Sequence, residues 1–473
     1  MRFPSAGRLR ALPLAGLVLA ALGSCSGPSP LDSPDAGRSA AYAPGQPNFD
    51  LEARATLEDG APGLDLLLSL PRASLVYTRQ PDGFRARYRF EVALEAERGG
   101  PPVRLTLDDT LRVPDFEATR SFRPVVREER VALAPGTYLV EATLVDEESG
   151  KEEGRRLRVE VPPPAGDPAM SRIGLAIKRP GEGFEPQVAL VVPTGFDSLR
   201  ASVEVYRAPE DAALRLQLDR LRADTTVARP PYWLSYSRAS IQYRGLDLDG
   251  PPEDTLQVTT RDLGGAAEAV TVEVTLPPLD PGVYRLQMAT RAALGAAPFA
   301  EEERLFAVRE PDFPRLTEVD DLIAPLAYLA SERELEAIAD GATPAERRAR
   351  FDAFWGSLFN DRNAAADVLR RYYERVEEAN LLFTTYKEGW KTDRGMVYVV
   401  LGPPEFVETT PLEETWHYAF GSGQALSTYT FDRASTAELR PRTAFESWIL
   451  VRSPAYEAAW RRAVQRWRAG QAR

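Results

Sequence analysis

The chain has very few of the residues on which most enzyme chemistry depends. It holds one cysteine, Cys25, and one histidine, His417. A single cysteine excludes an internal disulfide and a zinc-thiolate cluster, and a single histidine excludes zinc sites that need two or three imidazoles. A Ser-His-Asp triad would have to use His417, and no Gly-x-Ser-x-Gly turn accompanies it. Three possibilities are left for this chain: catalysis by carboxylates, a metal site with oxygen ligands, or no catalysis. We expect no cofactor and no bound metal.

Basic charge is also scarce. The chain carries 58 lysines and arginines against 70 aspartates and glutamates, a net charge of −12. An acidic balance disfavours nucleic acid and anionic lipid surfaces as electrostatic partners. Hydrophobic residues make up 44% of the chain, which is typical of a packed globular protein. No nucleic-acid partner is therefore expected.

The first 24 residues have the three parts of an export signal. Arginines at positions 2, 8 and 10 precede an apolar stretch at 11–23, which is shorter than the ~20 residues of a membrane span. The sequence Leu-Gly-Ser-Cys ending at Cys25 resembles the cleavage site of bacterial lipoprotein signal peptides. That resemblance implies a diacylglycerol thioether on Cys25 and an acyl chain such as palmitate on its amine. Because Ser26, not aspartate, follows, it implies anchoring in the outer membrane of the cell envelope.

Composition and periodicity divide the remaining chain. We predict a signal peptide at 1–24, a flexible tether at 25–48 rich in Pro, Ser, Gly and Ala, one β-sandwich at 49–164 and a second at 168–310. In residues 84–94 every second residue is apolar and four of the five residues between them are charged, which predicts a strand with one buried face. Residues 311–473 show a helical period and then strands, which predicts a C-terminal α+β domain.

A short pattern occurs in both β regions. Leu133 to Tyr138 reads Leu-Ala-Pro-Gly-Thr-Tyr, and Leu279 to Tyr284 reads Leu-Asp-Pro-Gly-Val-Tyr. A Pro-Gly turn that delivers a tyrosine into a late strand resembles the end of an immunoglobulin-like sandwich, where the tyrosine hydroxyl bonds back to the backbone. Two unrelated Pro-Gly turns are the alternative.

The helical region has clear start signals. Ser331 with Glu334, and Thr343 with Glu346, form capping boxes, and Pro344 occupies the first helical position. A third helix is expected to start near Asn363. Its buried stripe is predicted to consist of Val368, Leu369, Tyr372, Val376, Ala379, Asn380 and Phe383. Aromatic residues at helical spacing indicate core packing.

The densest motif follows these helices. It consists of Gly389, Trp390, Thr392, Asp393, Arg394 and Gly395, followed by Gly402, Pro403 and Pro404. We expect Gly389 to end a helix and Gly395 to turn the chain into a central strand at 397–400, because that run is apolar on both faces. Further strands are predicted at 415–420, 427–431 and 445–451.

This motif resembles the GWxTD domain of bacterial envelope proteins. The nine motif residues agree with the family pattern, as do Trp416 and Tyr418, and the resemblance covers about 351–451. Leu401 replaces a common aromatic, and Glu405 with Phe406 replaces an acidic pair. The resemblance implies no established activity.

Two interpretations of the motif remain open. Asp393 could be a general base with Arg394 as a carboxylate clamp. Alternatively, Asp393 caps a turn and Arg394 stacks on Trp390, which makes the motif structural. His417 is expected to be a surface residue or to make a local hydrogen bond.

Two functions follow. The first is a lipid-anchored, non-enzymatic binding or assembly protein whose partner is an envelope protein or a glycan. The second is a carboxylate-dependent glycan hydrolase, which needs two acids ~5–9 Å apart. Its candidates are Asp393, Glu405, Glu413 and Glu414. A concave pocket with converging acids favours the enzyme.

Overall fold

The structure is a computed structural model. It describes residues 37–39, 42, 45–58, 60–234, 245–248, 250–264, 269–292, 296–359, 361–419, 427–433, 445 and 447–472. Cys25 and the predicted signal segment lie outside the described residues. The protein is mostly β-sheet, with 44% of residues in strands and 23% in helices, which agrees with the predicted β-rich class. No helix in the described ranges is both long and apolar enough for a membrane span.

The first strand of the chain, β1 (Gly37–Ser39), belongs to the C-terminal sheet that is described below. The next eight strands form two sheets around one core that includes Phe49, Leu66, Phe90 and Val140. The first sheet has the order β2-β3-β7 and the second β4-β5-β8-β9, with β6 paired to β5. The strands are β2 (Asp50–Glu58), β3 (Ala61–Pro71), β4 (Thr78–Gln80), β5 (Gly83–Ala96), β6 (Val103–Val113), β7 (Pro124–Ala132), β8 (Gly136–Asp146) and β9 (Lys151–Val161), with a short helix α1 (Phe116–Thr119) before β7.

A second pair of sheets surrounds a core that includes Val203, Leu216, Leu286 and Phe306. The strands are β10 (Ala169–Met170), β11 (Gly174–Lys178), β12 (Phe184–Pro186), β13 (Val191–Pro193), β14 (Ser198–Tyr206), β15 (Ala213–Leu221), β16 (Asp254–Asp262), β17 (Ala269–Leu276), β18 (Gly282–Arg291) and β19 (Pro298–Arg309). One sheet has the order β10-β14-β11-β12 with β17 on β14, and the other β13-β19-β18-β15-β16. No strand of one sandwich pairs with a strand of the other in the described part of the chain.

The two predicted corner tyrosines make the predicted bond. The Tyr138 hydroxyl donates to the Ala134 carbonyl at 2.8 Å, and the Tyr284 hydroxyl donates to the Asp280 carbonyl at 2.7 Å. Both bonds span four residues and lie at the start of the penultimate strand of each sandwich. The matching geometry makes two unrelated turns a poor explanation. The strand predicted at 84–94 is confirmed as β5, in which the apolar positions from Ala86 to Leu94 are buried.

Within its described residues, the C-terminal region contains six α-helices and an antiparallel sheet. The helices are α2 (Val319–Ile323), α3 (Glu332–Ala339), α4 (Pro344–Leu358), α5 (Arg362–Phe383), α6 (Asp393–Leu401) and α7 (Glu457–Arg468). The sheet has the order β1-β20-β21-β22-β23, with β20 (Phe406–Thr409), β21 (Glu413–Tyr418), β22 (Ser427–Arg433) and β23 (Trp448–Leu450). The predicted caps Ser331 and Thr343 are confirmed, because each accepts from the predicted glutamate N–H. The stripe of α5 is buried as predicted except for Leu369, which is half-buried.

Three predictions for this region are wrong. Gly389 does not end a helix, because α5 ends at Phe383 and Gly389 begins a 3₁₀ turn. Residues 397–400 are not a central strand; they belong to α6, in which residues 394–400 are all buried. An apolar run that is buried on every side has the same sequence pattern in a strand and in a helix. The segment 25–48 is also not wholly a flexible tether, because residues 37–39 form β1 at the edge of the C-terminal sheet.

Candidate functional site

Two glycines of the motif let backbones touch. A Cβ on Gly389 would lie 1.8 Å from the Ala379 carbonyl oxygen of α5, and one on Gly395 would lie 1.9 Å from the Gly389 carbonyl oxygen. Neither contact can accommodate a side chain. Gly389 begins a 3₁₀ turn (Gly389–Lys391) that lies against α5, and Gly395 lies in the first turn of α6. The glycines therefore set the distance between α5 and α6.

Trp390 fills the space between these elements. Its side chain is buried, with 2% of the residue exposed. Its backbone N–H donates to the Asn380 side-chain oxygen at 3.2 Å, and its carbonyl accepts from the Tyr328 hydroxyl at 2.7 Å. Since the backbone and the ring both have partners in the core, Trp390 is a packing residue, as one of the two open interpretations holds.

Thr392 is the N-cap of α6. Its hydroxyl accepts from the Gly395 N–H at 3.0 Å and donates to the Gly389 carbonyl at 2.7 Å. An N-cap threonine satisfies a backbone N–H that the first turn leaves without a partner. This cap explains why the chain continues as a helix here, where we had predicted a strand.

Asp393 and Arg394 point to different partners. Asp393 forms an ion pair with Arg452, and its second carboxylate oxygen accepts from the Leu450 N–H of β23 at 2.9 Å. Arg394 forms an ion pair with Glu414 at 3.4 Å. Its guanidinium lies over the rings of Phe383 and Trp448, not over Trp390 as the stacking interpretation held. Arg394 is thus a carboxylate clamp, but for a carboxylate of its own chain.

The glycine and prolines after α6 end the helix. Gly402 has φ +88°, in the region that favours glycine, and its N–H donates to the Tyr398 carbonyl at 2.7 Å. Its own carbonyl accepts from the Tyr418 hydroxyl at 2.8 Å, which fixes the helix end to β21. Pro404 is buried and Pro403 is half-buried. These residues connect α6 to the sheet.

The candidate acids do not converge. Glu405 and Glu413 are exposed, whereas Glu414 is buried with 3% of the residue exposed. Glu413 and Glu414 are consecutive in β21, so their side chains leave opposite faces of the sheet. His417 lies in the same strand, stacks on Phe406 and has the Glu408 carboxylate 3.4 Å away. Its side chain is only 12% exposed and neither ring nitrogen makes a hydrogen bond to a described residue, so it has neither the surface position nor the local hydrogen bond that we predicted.

A cleft lies beside the motif, between the first sandwich and the C-terminal region. Its volume is about 750 Å³, within the range of small-molecule sites. The first sandwich contributes residues 141–143 and 153–156, and the N-terminal segment contributes Tyr42 and residues 45–48. The C-terminal region contributes Glu378, Leu381, Leu382, Arg394 and Tyr398. Arg394 is the only motif residue that lines the cleft.

The charges in the cleft are balanced. Three acids (Glu141, Glu153 and Glu378) and three arginines (155, 156 and 394) line it. Glu141 pairs with Arg156 at 2.6 Å, and Glu153 pairs with Arg155. Glu378 differs, because its carboxylate accepts from the Tyr398 hydroxyl at 2.9 Å. The residue as a whole is exposed, and partial desolvation of its carboxylate in the cleft raises its pKa. Among the described residues, no group of three or more His, Cys, Asp or Glu side chains is placed to hold a metal ion.

Sequence reasoning missed three residues at this site. Tyr42 was assigned to the tether, Arg452 lies after the last predicted strand, and Glu378 is one of several acids on α5. Glu378 alone had a detectable signal, since it lies one residue before the buried Ala379 and Asn380. Tyr42 lies far before the motif in the sequence, and Arg452 lies after it, with β22 in between. Their sequence positions therefore give no indication that either residue contacts the motif.

Comparison with known proteins identifies the C-terminal region. The family model of the GWxTD domain matches residues 293–469, so the chain carries this domain, as the motif predicted. The match begins before β19, the last strand of the second sandwich, and extends beyond the 351–451 of the resemblance. No curated protein matches the chain.

Several solved structures share a distant similarity. A red sea bream transglutaminase is 11% identical, with 55% of this chain and 31% of that chain covered and a TM-score of 0.17. A Salmonella alpha-2-macroglobulin mutant is 16% identical, with 56% and 17% covered and a TM-score of 0.18. The chain therefore spans less than a third of the length of either protein. Similarity at these scores carries no argument about function.

Proposed function

We propose that this chain is a lipid-anchored cell-envelope protein that binds a partner and does not catalyse a reaction. The main support for this proposal is that the polar side chains of the motif are already bound within the chain. Thr392, Asp393 and Arg394 each bind another part of the chain through their polar side chains. A group that is already fixed in an internal ion pair is a poor general base, because a proton taken from substrate would have to break that pair.

The lipid is proposed on Cys25, in the outer membrane. The support is the sequence pattern that ends at Cys25 and the serine that follows it. Metabolic labelling with a palmitate analogue, followed by membrane fractionation, tests the assignment. Cys25→Ser should abolish the label and release the protein from membranes, whereas Ser26→Ala should keep both. Labelling that persists in Cys25→Ser would contradict the anchor.

We place the partner in the cleft. The lining of the cleft is polar and its charges are balanced. Such a lining suits a partner whose surface is uncharged and rich in hydroxyl or amide groups, such as a glycan or a polar segment of an envelope protein. Because the cleft joins the first sandwich to the GWxTD domain, one partner there would contact both. This arrangement is consistent with a binding or assembly component.

A photo-crosslinking experiment tests the location. A photoreactive amino acid replaces Leu381, which lines the cleft, in the native lipoprotein within envelopes. The control position is Val258 on β16, which is 51% exposed and lies in the second sandwich. A crosslinked product that is specific to position 381 supports the cleft. Equal products at both positions, or none at 381, would contradict it.

The fold class is proposed at a finer level on the tyrosine corners. We infer that the two sandwiches are immunoglobulin-like and that a C-terminal α+β domain follows, with boundaries at 49–164, 168–310 and 311–473. Each sandwich carries the same hydroxyl-to-carbonyl bond at its end. Limited proteolysis should cut near 162–166, between the sandwiches. Cleavage that occurs first inside a sandwich would contradict these boundaries.

A glycan hydrolase is the second candidate function, and Glu378 is the residue that supports it. Glu378 lies in the cleft with a raised pKa, as a general acid requires. A hydrolase needs a second carboxylate, and the other two acids of the cleft are both paired with arginine. Incubation of peptidoglycan with the wild type and with Glu378→Gln should therefore release no sugar. Release by the wild type alone would establish the enzyme.

A further inference from the structure

The N-terminal segment is attached to the GWxTD domain by its backbone. β1 pairs antiparallel with β20, with Gly37 opposite Thr409, Arg38 opposite Glu408 and Ser39 opposite Val407. β1 is the outermost strand of this sheet, so it covers an edge that would otherwise be open. The chain reaches this edge before it enters the first sandwich.

Tyr42 continues the attachment with its side chain. Its ring lies 4.9 Å from the Phe383 ring and 5.2 Å from the Trp416 ring. Its hydroxyl donates to the Glu414 carboxylate at 3.2 Å and accepts from the Arg394 guanidinium at 3.2 Å. Tyr42 has φ +65°, an uncommon conformation for a residue with a side chain, so the pocket holds it against a local backbone preference.

We propose that the β20 edge and this pocket form a strand-docking site for an extended peptide that carries a tyrosine three residues after the paired strand. The chain's own strand β1 and Tyr42 are its resident ligand. The backbone of β20 recognises the strand, and the paired Arg394 and Glu414 recognise the phenol hydroxyl. The motif arginine Arg394 thereby acquires a role in ligand recognition through a residue that sequence spacing does not connect to it.

The site is suited to exchange because its charges stay paired when the ligand leaves. Glu414 accepts from the Trp416 indole N–H and forms the ion pair with Arg394, and neither of these two contacts involves Tyr42. Withdrawal of Tyr42 therefore leaves no buried charge without a partner, which would otherwise oppose release. Among the described residues, three residue pairs join β1 to β20.

Docking of β1 also shortens the free chain between the lipid and the folded protein. This consequence depends on the proposed lipid at Cys25. Twelve residue steps separate Cys25 from Gly37, which span at most about 40 Å when extended. With the segment released, the free chain would extend to Phe49, which is buried in the core of the first sandwich, and would span at most about 80 Å. The site therefore sets how far the folded body can lie from the membrane.

A labelled peptide tests the site without any lipid. The probe is a synthetic peptide of residues 33–47, and the receptor is the full chain with Tyr42→Ala, which weakens the resident ligand. Fluorescence anisotropy should show binding at least tenfold tighter to this variant than to the wild type. A probe peptide with its own Tyr42→Ala should bind at least tenfold more weakly. Equal binding of both peptides, or no binding to the variant, would overturn the proposal.

A disulfide trap covers the case in which Tyr42→Ala does not fold. In a Cys25→Ser background, Arg38→Cys and Glu408→Cys lie opposite each other, at the Cα spacing that a disulfide accepts. The control pair, Gly37→Cys with Val407→Cys, is two residues out of register. Rapid oxidation of the first pair only is expected, and its reduction should restore probe binding. Equal oxidation of both pairs would overturn the docking. Because Cys25 is serine here, failure of the anchor proposal would leave these results unchanged.

Discussion

Asp393 and Arg452 form an ion pair in which their side chains are only 13% and 10% exposed. Arg452 also donates to the Arg229 and Pro230 carbonyls, at 2.6 and 2.7 Å, in the segment that follows β15. The motif aspartate thereby connects three parts of the chain: the start of α6, the strand β23 and a loop of the second sandwich. This connection gives the motif aspartate a structural role.

Trp390→Ala should strongly destabilise the C-terminal region. The substitution removes a buried indole and leaves a cavity, which costs about 3–5 kcal/mol of unfolding free energy. Urea unfolding followed by tryptophan fluorescence measures the loss. Trp233→Ala is the matched control, because Trp233 is 50% exposed and should change the free energy by less than about 0.5 kcal/mol. Similar losses for both variants would refute the packing role of Trp390.

The two corner tyrosines should contribute equally and independently to the free energy of unfolding. Tyr138→Phe and Tyr284→Phe each remove one hydroxyl bond to a backbone carbonyl and keep the ring. Each variant should lose about 0.5–1.5 kcal/mol of unfolding free energy. Since the residues lie in different sandwiches, the double variant should show the sum if the sandwiches unfold together. Calorimetry of the three variants checks this, and a loss at only one corner would disprove the structural repeat.

Glu334 should make stability depend on acid pH. The hydrogen bond from Arg468 lowers the pKa of Glu334 to about 2, from 4.5 in the unfolded chain. A lowered folded-state pKa contributes stability above pH 4.5, and that contribution disappears as the pH falls from 4.5 to 2. Glu334→Gln should therefore lose less stability than the wild type over this interval. Denaturation midpoints at pH 6, 4 and 2 test this, and parallel pH curves would disprove it.

The sequence predicted local structure well where one physical signal dominated. Alternation identified β5, capping boxes identified α3 and α4, and the repeated Pro-Gly-x-Tyr pattern predicted both corner bonds. Each signal depends on neighbours within a few residues. The all-apolar run at 397–400 contains no such signal, and the motif pattern did not identify Thr392 as the N-cap that makes this run a helix.

The site depended on contacts between distant parts of the chain. Tyr42 reaches Glu414 across 372 residues, and Arg452 reaches Arg229 across 223. The composition of the N-terminal segment is polar and rich in small residues. Composition alone cannot predict that part of this segment pairs with the edge of a distant sheet. The motif residues were identified in full, whereas their partners required the fold.

A double-mutant cycle on Asp393 and Arg452 tests the central claim most directly. Unfolding free energies are measured for Asp393→Asn, Arg452→Gln and the pair, and each variant is assayed for photo-crosslinking from position 381. The structural account predicts a loss of about 3 kcal/mol or more for Asp393→Asn, because the buried positive charge of Arg452 loses the carboxylate that neutralises it. It also predicts a clearly smaller loss in the pair than the sum of the single losses. If Asp393→Asn keeps full stability and yet loses the crosslinked partner, Asp393 belongs to a functional site and the account is wrong.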